Sequence, residues 1–485
     1  MRSDIGEWPA DDLPEGWTWS DFGDFFEDVT SSTKKLPTNK YQSSGKFRVI
    51  DQSSGLQSGW TDDDTLVHPC PPPVVTFGDH TRFVRLVNHP FVQGADGMKV
   101  FRPRFDSLFA FYAMLTIELP DKGYSRHFSY LRASRFPIPP LPEQRRIVAK
   151  LDELRARSRK AREALDEVPA LLDKLKQSVL AAAFRGDLTA EWRAAQPVGS
   201  VEPASVLLDR IRAERRKQFA KAYPKKTYTE PEPVDTEGLP DLPEGWAWAP
   251  FEELTPSDAA IVYGIIQPGP HIPDGVPFVR PADIKDSKVV FSDLPRTSPE
   301  IAEDYRRAAL QPGDVVFSIV GTIGKWIIAG EELRGANITQ SSVRLRPARP
   351  LTPWFFVYVL AAPVLTSQIN KLLFGNAVQR LNVDHVRKLV VPVPPTAEWS
   401  VIEAKVSAAL EVVGRLNAAA GSTGSELNSL DQSILAKAFR GELVPQDPND
   451  EPADVLLARI KAGAGDADGG SRKGGRGRKA KGASA

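Results

Sequence analysis

The sequence predicts an α+β protein built as an internal repeat. Two α/β domains are separated by two long helices packed as an antiparallel coiled coil, and the halves are related by a pseudo-two-fold. Three observations predict this. Ser178-Val-Leu-Ala-Ala-Ala-Phe-Arg-Gly-Asp-Leu188 returns as Ser433-Ile-Leu-Ala-Lys-Ala-Phe-Arg-Gly-Glu-Leu443, 255 residues later (433 against 178). Leu13-Pro-Glu-Gly-Trp-Thr-Trp19 returns as Leu242-Pro-Glu-Gly-Trp-Ala-Trp248, 229 residues later (242 against 13). A heptad series precedes each Phe-Arg-Gly, and the two series run in step. A framework that repeats once, with unlike sequence between its marks, describes two similar units doing one job on two different targets.

The first domain, 13–140, carries short β-like runs, Pro73-Val-Val-Thr-Phe77 and Arg82-Phe-Val-Arg-Leu-Val87, among Gly, Pro and Asn turn signals. The first helical region, 141–220, follows. With Ile147 at a d position, the a/d series reads Leu151, Leu154, Ser158, Ala161, Leu165, Val168, Leu172, Leu175, Val179 and Ala182. Such an apolar seam signals a coiled coil or helix pair. Pro169 lies inside it and predicts a kink or break. A Pro- and charge-rich linker, 221–241, leads to the second domain, 242–395. In the second helical region, 396–462, the series is Ile402, Val406, Ala409, Val413, Leu416, Ala420, Thr423, Leu427, Leu430 and Ile434. Gly421 to Gly424 predicts a break where Pro169 interrupts the first helix. Ala204-Ser-Val-Leu-Leu-Asp-Arg-Ile-Arg212 matches Ala453-Asp-Val-Leu-Leu-Ala-Arg-Ile-Lys461, so a short helix should follow each long one. The tail, 463–485, is Gly-, Lys- and Arg-rich and is expected to be disordered. At about 1.5 Å per residue, about 36 helical positions span roughly 54 Å, one and a half turns of a DNA duplex. A pair of that length can act as a ruler.

Composition narrows the class. At 41% hydrophobic and 26% charged residues, the chain reads as an ordinary globular protein. Nothing approaches about 18 consecutive apolar residues, so no membrane span is expected. The start lacks the apolar core of a secretory signal, and the single Cys70 cannot form an intrachain disulfide. Both fit a cytoplasmic location. The 62 basic and 62 acidic residues cancel, which argues against an indiscriminate polyelectrolyte binder. It leaves room for a specific nucleic-acid reader, because charge is segregated: 1–30 has Arg2 as its only cation, and Arg472 to Lys481 contains no acid.

The search for catalytic chemistry returns mostly negatives. None of the Pro-Pro pairs follows the Asp or Asn that amino-methyltransferases use on a flipped base. Gly321-Thr-Ile-Gly-Lys325 has two residues between its glycines where a phosphate loop needs four, and Trp326 where a hydroxyl should bind Mg²⁺. A strand-to-strand turn accounts for Gly324. Asp274, Asp283 and Lys285 have the spacing of a Mg²⁺-dependent nuclease's carboxylates and lysine, though the first domain holds no equivalent. His68, Cys70, His80 and His89 are too irregularly spaced for a metal site, so structural roles are expected. The domains do offer side chains suited to DNA. Arg pairs bidentately with guanine, and Asn or Gln with adenine. The candidates are Arg82, Arg85, Lys99, Arg126 and His127 in the first domain, and Arg280, Lys325, Gln340, Gln379 and Arg380 in the second.

Leu-Pro-Glu-Gly-Trp opening each half, Phe136-Pro-Ile-Pro-Pro-Leu-Pro-Glu-Gln144 leading into the first long helix, and Phe-Arg-Gly ending both helices carry a resemblance. Over about residues 13–462 the chain resembles the specificity (S) subunit of type I restriction–modification systems. Pro394-Pro-Thr-Ala-Glu-Trp399 departs from the Pro-Leu-Pro-Glu-Gln pattern, while the helix beyond keeps register. The resemblance implies two target recognition domains, each reading one half of a bipartite, asymmetric site in double-stranded DNA. It implies that the family's two conserved helices set the spacer and dock two methyltransferase (M) subunits, which restriction/translocase (R) subunits then join. The chain itself would have no catalytic residue, cofactor or metal. S-adenosylmethionine, ATP and Mg²⁺ would be bound by the partners, and target bases flipped into the methyltransferases. Three other readings remain open: the recognition subunit of a fused methyltransferase–nuclease system, a protein-binding scaffold, and a nuclease resting on Asp274, Asp283 and Lys285.

Overall fold

The computed structural model describes residues 13–469 except 56, 96, 121–124, 238 and 374–378, and for 463–469 the backbone alone. The chain divides into two compact units, Met1–Asp166 with Gly421–Ala485, and Glu167–Ala420. They share one topology. In the first unit, Thr18–Asp21 pairs antiparallel with Arg135–Ile138, closing the ends of the domain. A four-stranded antiparallel sheet runs in the order Phe26–Asp28, Met98–Pro103, Val74–Gly78, Val84–Val87. A three-stranded sheet runs Gly59–Thr61, Phe47–Ile50, Phe91–Gln93, its last pair parallel. The second unit repeats each piece. Ala247–Pro250 pairs with Val390–Val393. Val262–Tyr263, Ser342–Leu345, Val315–Ser318 and Trp326–Ile328 form the four-stranded sheet. Arg296–Thr297, Val276–Val279 and Asn337–Ile338 form the three-stranded one, again ending in a parallel pair.

Local chemistry explains these elements. Val74–Gly78 is buried at every residue, as an apolar, β-branched run inside a sheet should be. Asp106 starts the helix Ser107–Leu115 by accepting from Phe109 N, and Thr352 does the same for Phe355 in Pro353–Ala361. The second of these is apolar because it is core, with Phe355 to Leu360 all buried. No single helix among the described residues is long and apolar enough to cross a membrane. In each unit a short helix, Phe128–Arg132 or Val383–Lys388, then leads into the closing strand.

The long helices are Leu141–Arg185 and Thr396–Phe439, 45 and 44 residues. Their packing is antiparallel. In the first unit Ile147 and Leu151 share a core with Phe25, Phe109 and Phe136 and with Ala438 and Phe439, and Arg162 bonds to Asp431 at 2.8 Å. In the second, Leu180 and Phe184 share a core with Phe251, Phe355, Trp399, Ile402 and Val406, and Lys405 Nζ donates to Leu188 O. The expected breaks are absent: both helices run unbroken through Pro169 and through Gly421 to Gly424. One proline costs about 3 kcal/mol and one glycine about 1, and packing at both helix ends offsets that. The units nevertheless divide at 166/167 and 420/421, within a turn of those residues.

The heptad reading needs a second correction. Leu172 is buried, Leu154, Leu165, Val179, Val413, Leu427 and Ile434 are half-buried, but Leu175, Leu416 and Leu430 are 44%, 48% and 50% exposed. Two helices bury only the seam between them. The short helices are Ala204–Ala222 and Ala453–Gly469. The second extends past 463 into the stretch expected to be disordered, and 470–485 lie outside the described residues.

The repeated sequence marks meet one another. Trp17 Nε1 donates to Glu143 Oε2 at 3.0 Å, and Trp246 Nε1 to Glu398 Oε2 at 2.8 Å. Gly16 O accepts from Ala453 N, and Gly245 O from Ala204 N. The Phe-Arg-Gly glycines, Gly186 at φ +80° and Gly441 at φ +74°, sit so close to Pro243 and Pro14 that an added Cβ would lie 2.5 Å from either ring. Each unit is therefore closed by its own Leu-Pro-Glu-Gly-Trp, the start of one long helix and the end of the other.

Candidate nucleic-acid interface

In both units the loops that carry sequence-predicted contacts are tied into a pair. The first unit's hairpin between Val74–Gly78 and Val84–Val87 is held to the loop before Phe128–Arg132. Asp79 Oδ1 accepts from His127 N and Phe128 N, both at 2.8 Å, and His80 Nδ1 lies 3.2 Å from Ser125 O. Arg82 and Arg126 are exposed on these two loops. In the second unit the hairpin between Val315–Ser318 and Trp326–Ile328 turns through Gly321 and Gly324, at φ +75° and +93°. A turn was the expected role of this segment. Gly321 N donates to Gln379 O at 3.0 Å, and Leu381 N to Ile319 O at 2.9 Å. Gln379 and Arg380 are exposed there, just before Val383–Lys388. Candidates chosen on side-chain type alone thus fall on topologically equivalent loops.

Five candidates are engaged elsewhere. Arg85 is buried, its Nε on Gly55 O and its Nη1 on Asp51 O, and burial pushes its pKa down. His127 is fully buried, its Nδ1 3.0 Å from Asp79 O, and so helps to lock the loop pair. Lys325 Nζ donates to Pro281 O and Ile284 O, stitching one turn to another. Arg280 grips Asp283 through Nε at 3.0 Å and Nη2 at 2.7 Å. Lys99 is half-buried over the Phe128 ring, 4.5 Å from its centre. Cationic side chains on short-strand domains often satisfy nearby carbonyls, and composition cannot separate those from free ones.

The nuclease reading is not favoured by the surroundings of Asp283. Arg280 occupies the Asp283 carboxylate, which also accepts from Arg280 N. Among the described residues no group of three or more His, Cys, Asp or Glu side chains could hold a metal ion. His68 stacks on Phe91, its centroid 5.0 Å away, and Cys70 is buried with Arg102 Nε 3.3 Å from its sulfur. His89 lies 3.3 Å from Arg48.

Beside the second unit's loop pair opens a cleft of about 610 Å³. Gln340 and Arg380 line it, joined by three residues that sequence reasoning did not single out: Tyr263, Arg307 and Asn382. Asn382 occupies the position preceding Val383–Lys388, where an Asn side chain normally caps the helix, yet it makes no capping bond. Asp384 and Arg387, also in the wall, pair with each other at 2.8 Å. Arg344, paired across the sheet with the lining residue Val262, is buried, its Nη2 on Ala260 O and its pKa pushed down to about 10 by burial.

Comparison with known proteins agrees with this architecture. No family model matches the chain. It is 29% identical over 341 residues to the type I restriction enzyme EcoBI specificity subunit of Escherichia coli, covering 68% of this chain and 65% of that one. It is 25% identical over 344 residues to the EcoKI specificity subunit of Escherichia coli strain K12, covering 67% and 63%. The chain thus spans just under two thirds of the length of these two relatives. A chain solved for the complex assembly and conformational transition of the type I R-M system superposes with a TM-score of 0.56, at 20% identity, over 89% of this chain and 100% of that one. That likeness establishes the fold. Sequence relatives and architecture point the same way: the chain is similar to type I restriction enzyme specificity subunits.

Proposed function

We propose that this chain is the DNA sequence-recognition subunit of a type I restriction–modification complex, non-catalytic itself, acting in the cytoplasm. Residues 13–140 and 242–395 serve as target recognition domains, each reading one half of a bipartite, asymmetric site. The observation that carries this reading is the paired loop, presented twice on one topology with different side chains: Arg82 and Arg126 in one unit, Gln379 and Arg380 in the other. Same scaffold and different readers are what two unlike half-sites require. Phosphate contacts would place each domain, and a few bidentate side chains would read base edges.

The helices supply the spacing. At about 1.5 Å per residue, helices of this length reach roughly 65 Å, about two turns of duplex. Leu171, Leu175, Val412 and Leu416, exposed on the two helices, offer the apolar surface a methyltransferase subunit would cover. Two methyltransferase subunits, and restriction/translocase subunits after them, would bring S-adenosylmethionine, ATP and Mg²⁺. The test is to co-express the chain with the methyltransferase of its own system and map methylated bases genome-wide. One motif with two unlike halves and a fixed spacer is expected. A stable complex that methylates without any motif would overturn the reading.

A further inference from the structure

Most polar side chains on the second unit's reading face are already matched within the chain. Arg280 holds Asp283, Lys325 holds two carbonyls, Arg387 holds Asp384 and Ile261 O. The cleft collects those that are not. Among the described residues the side chains of Gln340, Asn382, Arg307 and Arg380 make no hydrogen bond or ion pair with the rest of the chain, and all four are exposed on its wall. Asn382 is the sharpest case, since a helix start stands within its reach and it does not cap it. These four, with the exposed carboxylate of Asp304 in the same wall, converge on one concavity framed by the exposed ring of Tyr263, a surface that suits a polar ligand.

The chemistry of the four divides in two. A carboxamide offers one donor and one acceptor side by side, which matches the N6 and N7 edge of adenine in the major groove. A guanidinium has no acceptor and suits guanine or phosphate oxygens. Two carboxamides and two arginines in one cleft therefore suit an adenine-bearing step together with its backbone. The first unit has no counterpart of Asn382 in this role: His127, which precedes the equivalent helix, is buried and bonded to Asp79.

We infer that Asn382 and Gln340 are the specificity-determining residues of the second unit's half-site, reading adenine from this cleft while Arg307 and Arg380 hold the flanking phosphates. The inference rests on the recognition-subunit reading above.

The test uses the complete complex with its methyltransferase, once mapping has given the motif. Competition binding compares the cognate site with duplexes changed at each base pair of either half, for the unaltered chain and for Asn382→Ala and Gln340→Ala. A bidentate contact discriminates roughly ten- to a hundredfold. The expected result is that each variant loses discrimination of that size at one or two A·T pairs of a single half, with the other half and the spacer unchanged. Arg307→Ala should instead weaken binding to every duplex alike. Unchanged discrimination at every position in both carboxamide variants would overturn the inference and leave the recognition reading standing. So would uniform weakening by Asn382→Ala and Gln340→Ala, which would mark them as backbone contacts. If the unaltered complex shows no bipartite motif at all, the recognition reading fails and the inference with it.

Discussion

Glu143 and Glu398 stand at the same place in the two units, each at the start of a long helix and each accepting from the Trp of Leu-Pro-Glu-Gly-Trp. Only one is fully matched. Glu398 Oε1 accepts from Thr189 Oγ1 at 2.6 Å and pairs with the Arg193 guanidinium, whose other nitrogen bonds Gly186 O. The residues 255 positions after Thr189 and Arg193 are Val444 and Pro448, which donate nothing. Glu143 Oε1 is buried without a partner among the described residues, and burial pushes its pKa up against the weaker opposing pull of Trp17 and Arg146. The first unit has Arg146 on Asp450 at 2.7 Å instead, one turn further along the helix. The two joints thus share one geometry and differ in their electrostatic match. Shape and charge complementarity are separable here, and each can be broken alone.

The largest effect should come from breaking the charge match. Arg193→Ala leaves Glu398 buried beside a neutral hydroxyl and an indole N–H, a change that costs about 3–5 kcal/mol where a buried pair loses one partner. Hydrogen exchange should show lost protection across Ala247–Pro250 and Val390–Val393, with Thr18–Asp21 and Arg135–Ile138 unaffected. Equal loss in both units, or none, would mean that Arg193 is not what distinguishes them.

Breaking the shape should treat the units alike. Gly186→Ala and Gly441→Ala each force a side chain into left-handed backbone and against a proline ring. Strain of about 1–2 kcal/mol and overpacking of about 1–3 predict a loss of about 2–4 kcal/mol in the affected unit. Thermal unfolding of the two variants should show similar shifts. A shift in one variant alone would place the shared closure in only one unit.

Much of this was legible beforehand, and what was not has a physical cause. Repeated segments gave away the two helices, their antiparallel pairing and the equivalence of the halves, because repetition needs no structural inference. That Leu-Pro-Glu-Gly-Trp touches both helix ends was invisible, since contacts between marks far apart in the chain leave no local pattern. Pro169 and Gly421 looked like breaks because propensity is local, while helix continuity is decided by packing at distant ends. Arg82, Arg126, Gln379 and Arg380, chosen on side-chain type, fall on equivalent loops of the two units. Arg85, His127 and Lys325 were misread because nothing in the sequence tells a cation facing solvent from one bonded to a carbonyl. Asn382 was missed for the opposite reason: its sequence context suits a helix cap, and only the structure shows that it does not serve as one.

The smallest effect, and the one that sharpens the comparison most, is on pH dependence. Glu143 holds its proton more tightly in the folded protein than in the unfolded chain, chiefly because it is buried, with Asp450 adding to the effect and Trp17 and Arg146 opposing it. A carboxyl raised in this way contributes stability that is present below its unfolded pKa and is lost as pH rises through its folded pKa. The first unit should therefore loosen as pH rises from the ordinary glutamate range through that raised value. Glu143→Gln keeps the shape and an acceptor for Trp17 while removing the charge. It should abolish that slope and protect the first unit above the window by about 1 kcal/mol, the size of one ordinary hydrogen bond. Glu398→Gln should act in the opposite direction at neutral pH, because it removes the partner of Arg193. Hydrogen exchange at Trp17 and Ala453 against Trp246 and Ala204, followed from acid to neutral pH, reads both effects in one molecule. The same sign for the two variants would show that the second joint does not depend on its extra charge pair.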